Sequence, residues 1–117
     1  MKIIIAGSRS FDNYSVLEEY CDQVIDSLKG SDIIIVSGTA KGADKLGERY
    51  ATSKGFRIAS FPADWDKFGK SAGYKRNEQM ALYSDVLIAF WDGSSKGTKH
   101  MIDLAKKHNL KVFVYEY

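Results

Sequence analysis

The chain has 117 residues, a length that fits one domain built around one hydrophobic core. Hydrophobic residues make up 44% and charged residues 27%, as in ordinary globular proteins, and a net charge of +2 does not by itself indicate nucleic-acid binding. The single cysteine, Cys21, excludes an internal disulfide and a cysteine-based zinc site, and its apolar helical spacing predicts a buried thiol. The apolar run after Lys2 meets Gly7 too soon for a signal peptide or a membrane span, so we expect a cytoplasmic protein.

The predicted elements alternate between strands and helices along the whole chain. Strands are predicted at 2–6, 32–36, 57–61, 85–90 and 111–115, helices at 14–29, 43–54, 73–83 and 98–108, and an irregular stretch at 63–72. Such alternation, with nearly continuous apolar strands, is typical of a parallel sheet covered on both faces. Right-handed crossovers then give an α/β fold: a Rossmann-like, doubly wound sheet of five parallel strands with helices on both faces, in one domain spanning 1–117.

Three glycine-bearing turns each follow an apolar strand and lead into a helix, at 6–11, 37–44 and 91–98. In a parallel sheet all three lie at the carboxyl ends of the strands, where open α/β sheets bind ligands. Backbone N–H groups at glycine turns and helix N-termini favour anions, so phosphate is the expected ligand group. The turns also carry hydroxyl groups that can either hydrogen-bond phosphate or ribose or cap a helix, on Ser8, Ser37, Thr39, Ser95 and Thr98.

Standard nucleotide-binding and metal-binding signatures do not fit the chain. The residues after Gly7 are Ser-Arg-Ser, so the G-x-G-x-x-G spacing of dinucleotide-binding proteins does not start there. No G-x-x-x-x-G-K-[ST] run, the signature of a P-loop, occurs either. The two histidines, His100 and His108, lie eight residues apart on one predicted helix, which is poor spacing for a metal. We therefore expect neither a metal nor a cofactor.

A few single residues near the predicted sheet edge suit a ligand. Arg9 lies two residues after the first glycine and Arg76 lies in the first part of the third predicted helix. Each can offer a planar fork to phosphate or carboxylate, or else form a solvated surface charge. Asp44 either caps the second helix or holds a ribose hydroxyl. Trp65 either stacks on a base or packs under a loop.

Five motifs, in order along the chain, resemble the SLOG superfamily, which joins the SMF/DprA proteins and the Lonely Guy (LOG) enzymes. They are G-S-R-x-F at 7–11, S-G-x-A-x-G-A-D at 37–44, P-A-D-W at 62–65, G-x-x-R-N-x-x-M at 73–80 and F-W-D-G-x-S-x-G-T at 90–98. The match covers nearly the whole chain. The branch that it resembles is the YspA group of small, YpsA-related proteins, which is common in bacterial and phage genomes.

The resemblance implies a Rossmann-like fold that binds a phosphorylated nucleotide or an NAD- or ADP-ribose-derived molecule, as a sensor or a sequestering protein. It also implies a homo-oligomer such as a dimer. The turn residues and matching motifs together define the expected ligand-binding set: Gly7, Ser8, Arg9, Phe11, Ser37, Gly38, Thr39, Gly42, Asp44, Trp65, Arg76, Asn77, Gly93, Ser95, Gly97 and Thr98.

The resemblance leaves two alternatives open. The first is a LOG-like phosphoribohydrolase that releases the base of nucleoside monophosphates, with Arg76 and Asp44 as candidate catalytic residues. LOG enzymes carry a Glu in a P-G-G-x-G-T-x-x-E motif, and that position is Met101 here, so an oxocarbenium-like transition state lacks one carboxylate and a binding protein is favoured. The second is single-stranded DNA binding as in DprA, which the small net charge and the lack of a basic stripe disfavour.

Overall fold

The computed structural model describes all 117 residues and contains every predicted strand and helix. The strands are β1 (Lys2–Gly7), β2 (Ile34–Ser37), β3 (Arg57–Ser60), β4 (Val86–Trp91) and β5 (Lys111–Glu116). The helices are α1 (Tyr14–Leu28), α2 (Ala43–Lys54), α3 (Trp65–Phe68), α4 (Ala72–Tyr83) and α5 (Lys96–Lys107). None of these helices combines the length and the apolar character that crossing a bilayer requires.

The stretch 63–72, predicted as irregular, is instead mostly helical. It forms the single-turn helix α3 and a 3₁₀ turn at Gly69–Ser71 that runs directly into α4. Asp64 caps α3, since its Oδ1 accepts a hydrogen bond from the N–H of Lys67 at 3.1 Å. Apolar periodicity cannot reveal a helix of four residues, because one turn does not complete the repeat.

All five strands are parallel, in the order β3-β2-β1-β4-β5. The chain winds outward from β1 to β3, crosses back over the sheet, and continues from β4 to β5. The winding direction therefore reverses between β1 and β4, which pair directly from Ile3–Val86 to Gly7–Phe90. Open α/β sheets leave a crevice at such a switch point, outside the carboxyl ends of the two strands.

Two apolar cores cover the two faces of the sheet. Ile3 and Ile5 point into the core beneath α1 and α2, whereas Ile4 and Ala6 point into the core beneath α4 and α5. Because both faces of the sheet are buried, the strands are continuous apolar runs and do not alternate between apolar and polar residues. Cys21 belongs to the first core, as predicted, and burial raises the pKa of its thiol.

Candidate functional site

A cavity of about 500 Å³ opens at the carboxyl edge of the sheet, over the switch point between β1 and β4. Its walls come from the turn after β1, the start of α2, the α3–α4 segment and the turn between β4 and α5. The structure brings together ten of the residues that the sequence singled out: Gly7, Ser8, Arg9, Asp44, Trp65, Arg76, Asn77, Ser95, Gly97 and Thr98.

The other six expected ligand-binding residues do not line this cavity: Phe11, Ser37, Gly38, Thr39, Gly42 and Gly93. Phe11 belongs to the apolar core, where its ring stacks on Phe90 with centroids 4.9 Å apart and leaves only 4% of the residue exposed. Phe11, the last residue of the first turn, packs inward because the turn folds back over the end of β4. Gly93 lies on the exposed outer side of the third turn.

Ser8 joins the two turns that meet at the switch point. Its backbone N–H donates to the carbonyl of Phe90 at 3.0 Å, and its Oγ accepts from the N–H of Asp92 at 3.3 Å. Only 2% of Ser8 is exposed, so these bonds are shielded from water. The floor of the cavity is thus held by contacts between β1 and β4 rather than by loose loops.

The second turn approaches the first closely enough to require a glycine. Gly42 has a φ of +79°, and a Cβ there would collide with the carbonyl oxygens of Ser8 and Arg9. Thr39 also adopts a left-handed conformation, with a φ of 65°, and its N–H donates to the Oγ of Ser37 at 3.1 Å. These residues shape the turn from behind the cavity wall.

Arg76 reaches from α4 across the cavity to the second turn. Its Nη1 donates to the carbonyl of Gly38, and a Cβ on Gly38 would lie 2.5 Å from that nitrogen and 2.8 Å from Oδ2 of Asp44. The glycine in this turn therefore makes room for the guanidinium. Burial lowers the pKa of Arg76, and the positive charge of Arg9 lowers it further, whereas the negative charge of Asp44 raises it. The guanidinium nevertheless stays charged, because its intrinsic pKa is very high.

Asp44 lies in the first turn of α2, next to this guanidinium, with 5% of the residue exposed. Its Oδ2 accepts from the N–H of Ala40 at 3.2 Å, so it stabilises the second turn, while Gly42 occupies the N-cap position. Desolvation raises the pKa of Asp44 to about 6, although Ala40 and Arg76 act in the opposite direction.

The third turn is held by its own side chains. Oδ1 of Asp92 accepts from the N–H groups of Ser94 and Ser95, at 2.9 and 2.7 Å, and these bonds lower the pKa of Asp92. Ser95 is the N-cap of α5, with its Oγ 3.1 Å from Oγ1 of the buried Thr98. The start of α5, where backbone N–H groups have no intrahelical acceptor, thereby lies at the cavity wall.

Sequence reasoning missed several lining residues, including the rim residues Lys70 and Tyr74 and the buried Met80. A signal for Met80 was present, because Gly73, Asn77 and Met80 follow a helical spacing that places them on the face that lines the cavity. Asp92 and Met101 also line it. The position at which the LOG resemblance implies a Glu thus presents an apolar, fully buried side chain.

A parallel sheet with a cavity at its switch point defines a Rossmann-like α/β protein. The chain belongs to the YspA, cpYpsA-related SLOG family (YAcAr), whose model matches residues 1–68. It is similar to the Gene 61 protein of Mycobacterium phage D29, at 35% identity over 118 residues, covering 95% of this chain and 93% of that protein.

Solved structures of DNA processing protein A (DprA) share the fold. The protein from Streptococcus pneumoniae superposes with a TM-score of 0.74 at 20% identity, covering 97% of this chain and 49% of that one. The protein from Helicobacter pylori, whose structure concerns its single-stranded DNA binding mode, gives a TM-score of 0.67 at 24% identity, covering 97% of this chain and 64% of that one. The chain therefore spans about half of the first of these proteins and just under two thirds of the second.

Proposed function

We propose that this protein binds a phosphorylated nucleotide, or an NAD- or ADP-ribose-derived molecule, in the cavity at the switch point. The observation that carries the proposal is the placement of Arg76. Its guanidinium is partly desolvated, it uses Nε and Nη1 for bonds within the protein, and its Nη2 has no protein partner. A fixed cation in a partly dry site binds an anion more strongly than the same cation on the surface.

The rest of the cavity suits the two ends of a nucleotide. Arg9 and Lys70 add positive charge to the lining, and the N-terminus of α5 adds backbone donors, as a phosphate requires. Trp65 and Tyr74 are exposed by 51% and 48%, which leaves aromatic surface at the rim on which a base can stack. A volume of about 500 Å³ lies within the range of small-molecule sites.

Binding without turnover fits the lining better than hydrolysis of an N-glycosidic bond. The carboxylates in the lining are Asp44 and Asp92, and each is engaged by backbone N–H groups of its own turn. Met101 adds no charge to stabilise an oxocarbenium-like transition state. A sensor or a sequestering protein is therefore the form of the function that we propose.

The test is a thermal-shift screen with mono-, di- and cyclic nucleotides, NAD and ADP-ribose, after which each compound is recovered and analysed. We expect at least one of them to stabilise the fold and to be recovered intact. Arg76→Ala should abolish the shift. Arg57→Ala, which removes the same charge from the exposed start of β3 at the opposite edge, should leave it unchanged.

Other results would contradict this proposal in distinguishable ways. Recovery of free base and ribose phosphate would identify a phosphoribohydrolase instead. A shift that Arg76→Ala and Arg57→Ala reduce equally would indicate a nonspecific charge effect rather than binding at Arg76.

Single-stranded DNA binding is the second candidate, favoured by the shared fold with the DprA of Helicobacter pylori. Exposed aromatic rings beside cationic side chains are also what a stacking platform for single strands requires. Oligonucleotide binding that weakens steeply with salt and disappears in Trp65→Ala would support it. Nucleotide binding without oligonucleotide binding would reject it.

A further inference from the structure

Asn77 lies between Arg76 and the first turn of α5, with 6% of the residue exposed. The Nε–H of Arg76 donates to the side-chain oxygen of Asn77 at 3.0 Å. Because a guanidinium only donates hydrogen bonds, the amide atom that faces it must be the oxygen. The amide nitrogen of Asn77 therefore faces α5, where it lies 3.3 Å from the carbonyl of Gly97 and 3.2 Å from Nδ1 of His100.

This orientation dictates the state of His100. The amide nitrogen of Asn77 only donates, so Nδ1 of His100 must accept, and the imidazole must be neutral with its proton on Nε2. Burial lowers the pKa of His100, and the carboxylates of Asp103 on α5 and Glu78 on α4 raise it. The ring of Tyr74, also on α4, meets the imidazole edge-on with centroids 4.4 Å apart.

We propose that Asn77 is a positioning residue that fixes the guanidinium of Arg76 for an anionic ligand, and that His100 maintains this arrangement only as a neutral imidazole. This proposal rests on the proposed function, because it assumes that the guanidinium of Arg76 binds the anionic group of the ligand. Asn77 does not itself need to touch the ligand. Its bond to Gly97 also ties the guanidinium to the start of α5, so two anion-binding elements keep a fixed separation.

Protonation of His100 would place an N–H opposite the amide nitrogen of Asn77. The amide must then rotate or move away, and rotation would turn its NH₂ group toward the Nε–H of Arg76. Ligand affinity should therefore fall as the pH drops through the pKa of His100. Protonation of Asp44, whose pKa is about 6, acts in the opposite direction because it removes a negative charge beside Arg76.

The contact between Asn77 and His100 is testable without any ligand. The chain has two histidines, so NMR titration of the ring signals can follow His100 with His108 as an internal reference. We expect the Nε2–H tautomer in the wild type, and a higher pKa for His100 in Asn77→Asp because a carboxylate would then face the imidazole. An Nδ1–H tautomer, or an unchanged titration of His100 in Asn77→Asp, would overturn this part of the proposal.

The positioning role is tested with ADP-ribose, because its diphosphate is esterified at both ends and therefore has no group that titrates near neutral pH. We expect Asn77→Leu, which keeps the size of the side chain, to weaken binding about tenfold, the usual effect of losing a hydrogen bond to a charged group. Gln79→Leu, on the exposed side of the same helix, should bind like the wild type. Removal of the imidazole by His100→Leu should abolish the loss of affinity at acidic pH.

Wild-type affinity in Asn77→Leu would overturn the positioning role. An affinity that rises steadily as the pH falls, in the wild type and in His100→Leu alike, would assign the pH dependence to Asp44 and overturn the role of His100. Absence of ADP-ribose binding by the wild type at every pH would contradict the proposed function for this ligand and with it the ligand half of the inference. The imidazole titration would still decide the contact between Asn77 and His100.

Discussion

The carboxyl group of Asp44 and the guanidinium of Arg76 lie side by side at the second turn, and burial affects their charge states differently. Arg76 keeps its charge because the intrinsic pKa of a guanidinium is very high. Asp44 does not keep its charge as readily, since desolvation raises its pKa from 3.8 to about 6 despite the neighbouring cation. The fold therefore tolerates a carboxylate that burial makes unfavourable at neutral pH.

Asp44→Asn should stabilise the protein at neutral pH. A carboxyl group whose pKa is higher in the folded state stabilises the fold while it is protonated, and this contribution is lost as the pH rises from the unfolded to the folded pKa. The shift from 3.8 to about 6 corresponds to about 3 kcal/mol. Urea unfolding at about pH 4 and pH 7.5 should show a smaller loss of stability with rising pH in Asp44→Asn than in the wild type. Parallel pH profiles would contradict the assignment.

Gly38→Ala should weaken ligand binding, because its Cβ would occupy the space of the Arg76 guanidinium, 2.5 Å from Nη1. Gly47→Ala is the matched control, since its Cβ would lie 2.8 Å from Ile5 in the core away from the cavity. Both changes overpack the structure, at a cost of about 1–3 kcal/mol. Calorimetric titration at a temperature where both variants are folded should show reduced affinity in Gly38→Ala alone.

The residues of the site could be predicted only where chemistry and position coincide. Arg76, Ser8 and Thr98 were identifiable because a polar group follows a strand, or lies near the start of a helix, at the carboxyl edge of the sheet. Phe11 carries the same positional signal, yet it packs on Phe90, since a motif position does not reveal which way a side chain points. The left-handed φ of Thr39 was not foreseeable either, because a β-branched residue disfavours it and only surrounding contacts maintain it.

At the scale of the elements, α1 and α5 begin with the same kind of cap in different surroundings. The side chain of Asn13 accepts from the N–H of Val16 at 3.2 Å and does not line the cavity, whereas Ser95 caps α5 at the cavity wall. Comparing variants of Asn13 and Ser95 therefore distinguishes the effect of an N-cap on stability from its effect on anion binding.

Asn13→Ala and Ser95→Ala should each lower the unfolding free energy by about 1 kcal/mol, the usual effect of losing an N-cap. Only Ser95→Ala should also weaken nucleotide binding, because the first turn of α5 then loses its fixed geometry beside the ligand. Denaturant unfolding combined with ligand titration of both variants measures the two effects. Equal affinity in the two variants would remove α5 from the binding site.

The elements themselves were largely readable from the sequence, and their boundaries differ from prediction by no more than two residues. Glycine or proline follows several of them, and continuous apolar runs marked the strands. The exception is α3, whose single turn depends on the cap at Asp64 and not on periodicity. Its helical start is what places Trp65 on the rim of the cavity.

At the scale of the whole molecule, the sheet holds two cores that share the same strands. Ile3 and Ile4 are neighbours in β1 but belong to opposite cores, so neither core can disassemble without exposing the other face of the strand. The alternation of elements predicted this layered arrangement. The strand order was not readable, because several orders satisfy right-handed crossovers.

We expect residues 1–117 to unfold in a single cooperative transition, as one domain. Trp65 and Trp91 report on the C-terminal half through fluorescence, whereas far-ultraviolet circular dichroism reports on all helices and strands. The two signals should have the same denaturation midpoint. Different midpoints for the two signals would contradict this expectation.

The pairing of Ile3 with Val86 has a consequence during synthesis. A ribosome releases β1 early, but the strand that covers one of its edges, β4, follows only after most of the chain has been translated. Until then one edge of the apolar strand at the sheet's centre is open to other chains, which favours aggregation or capture by chaperones. The cavity floor also awaits that late pairing, so the cavity cannot take shape before β4 has been translated.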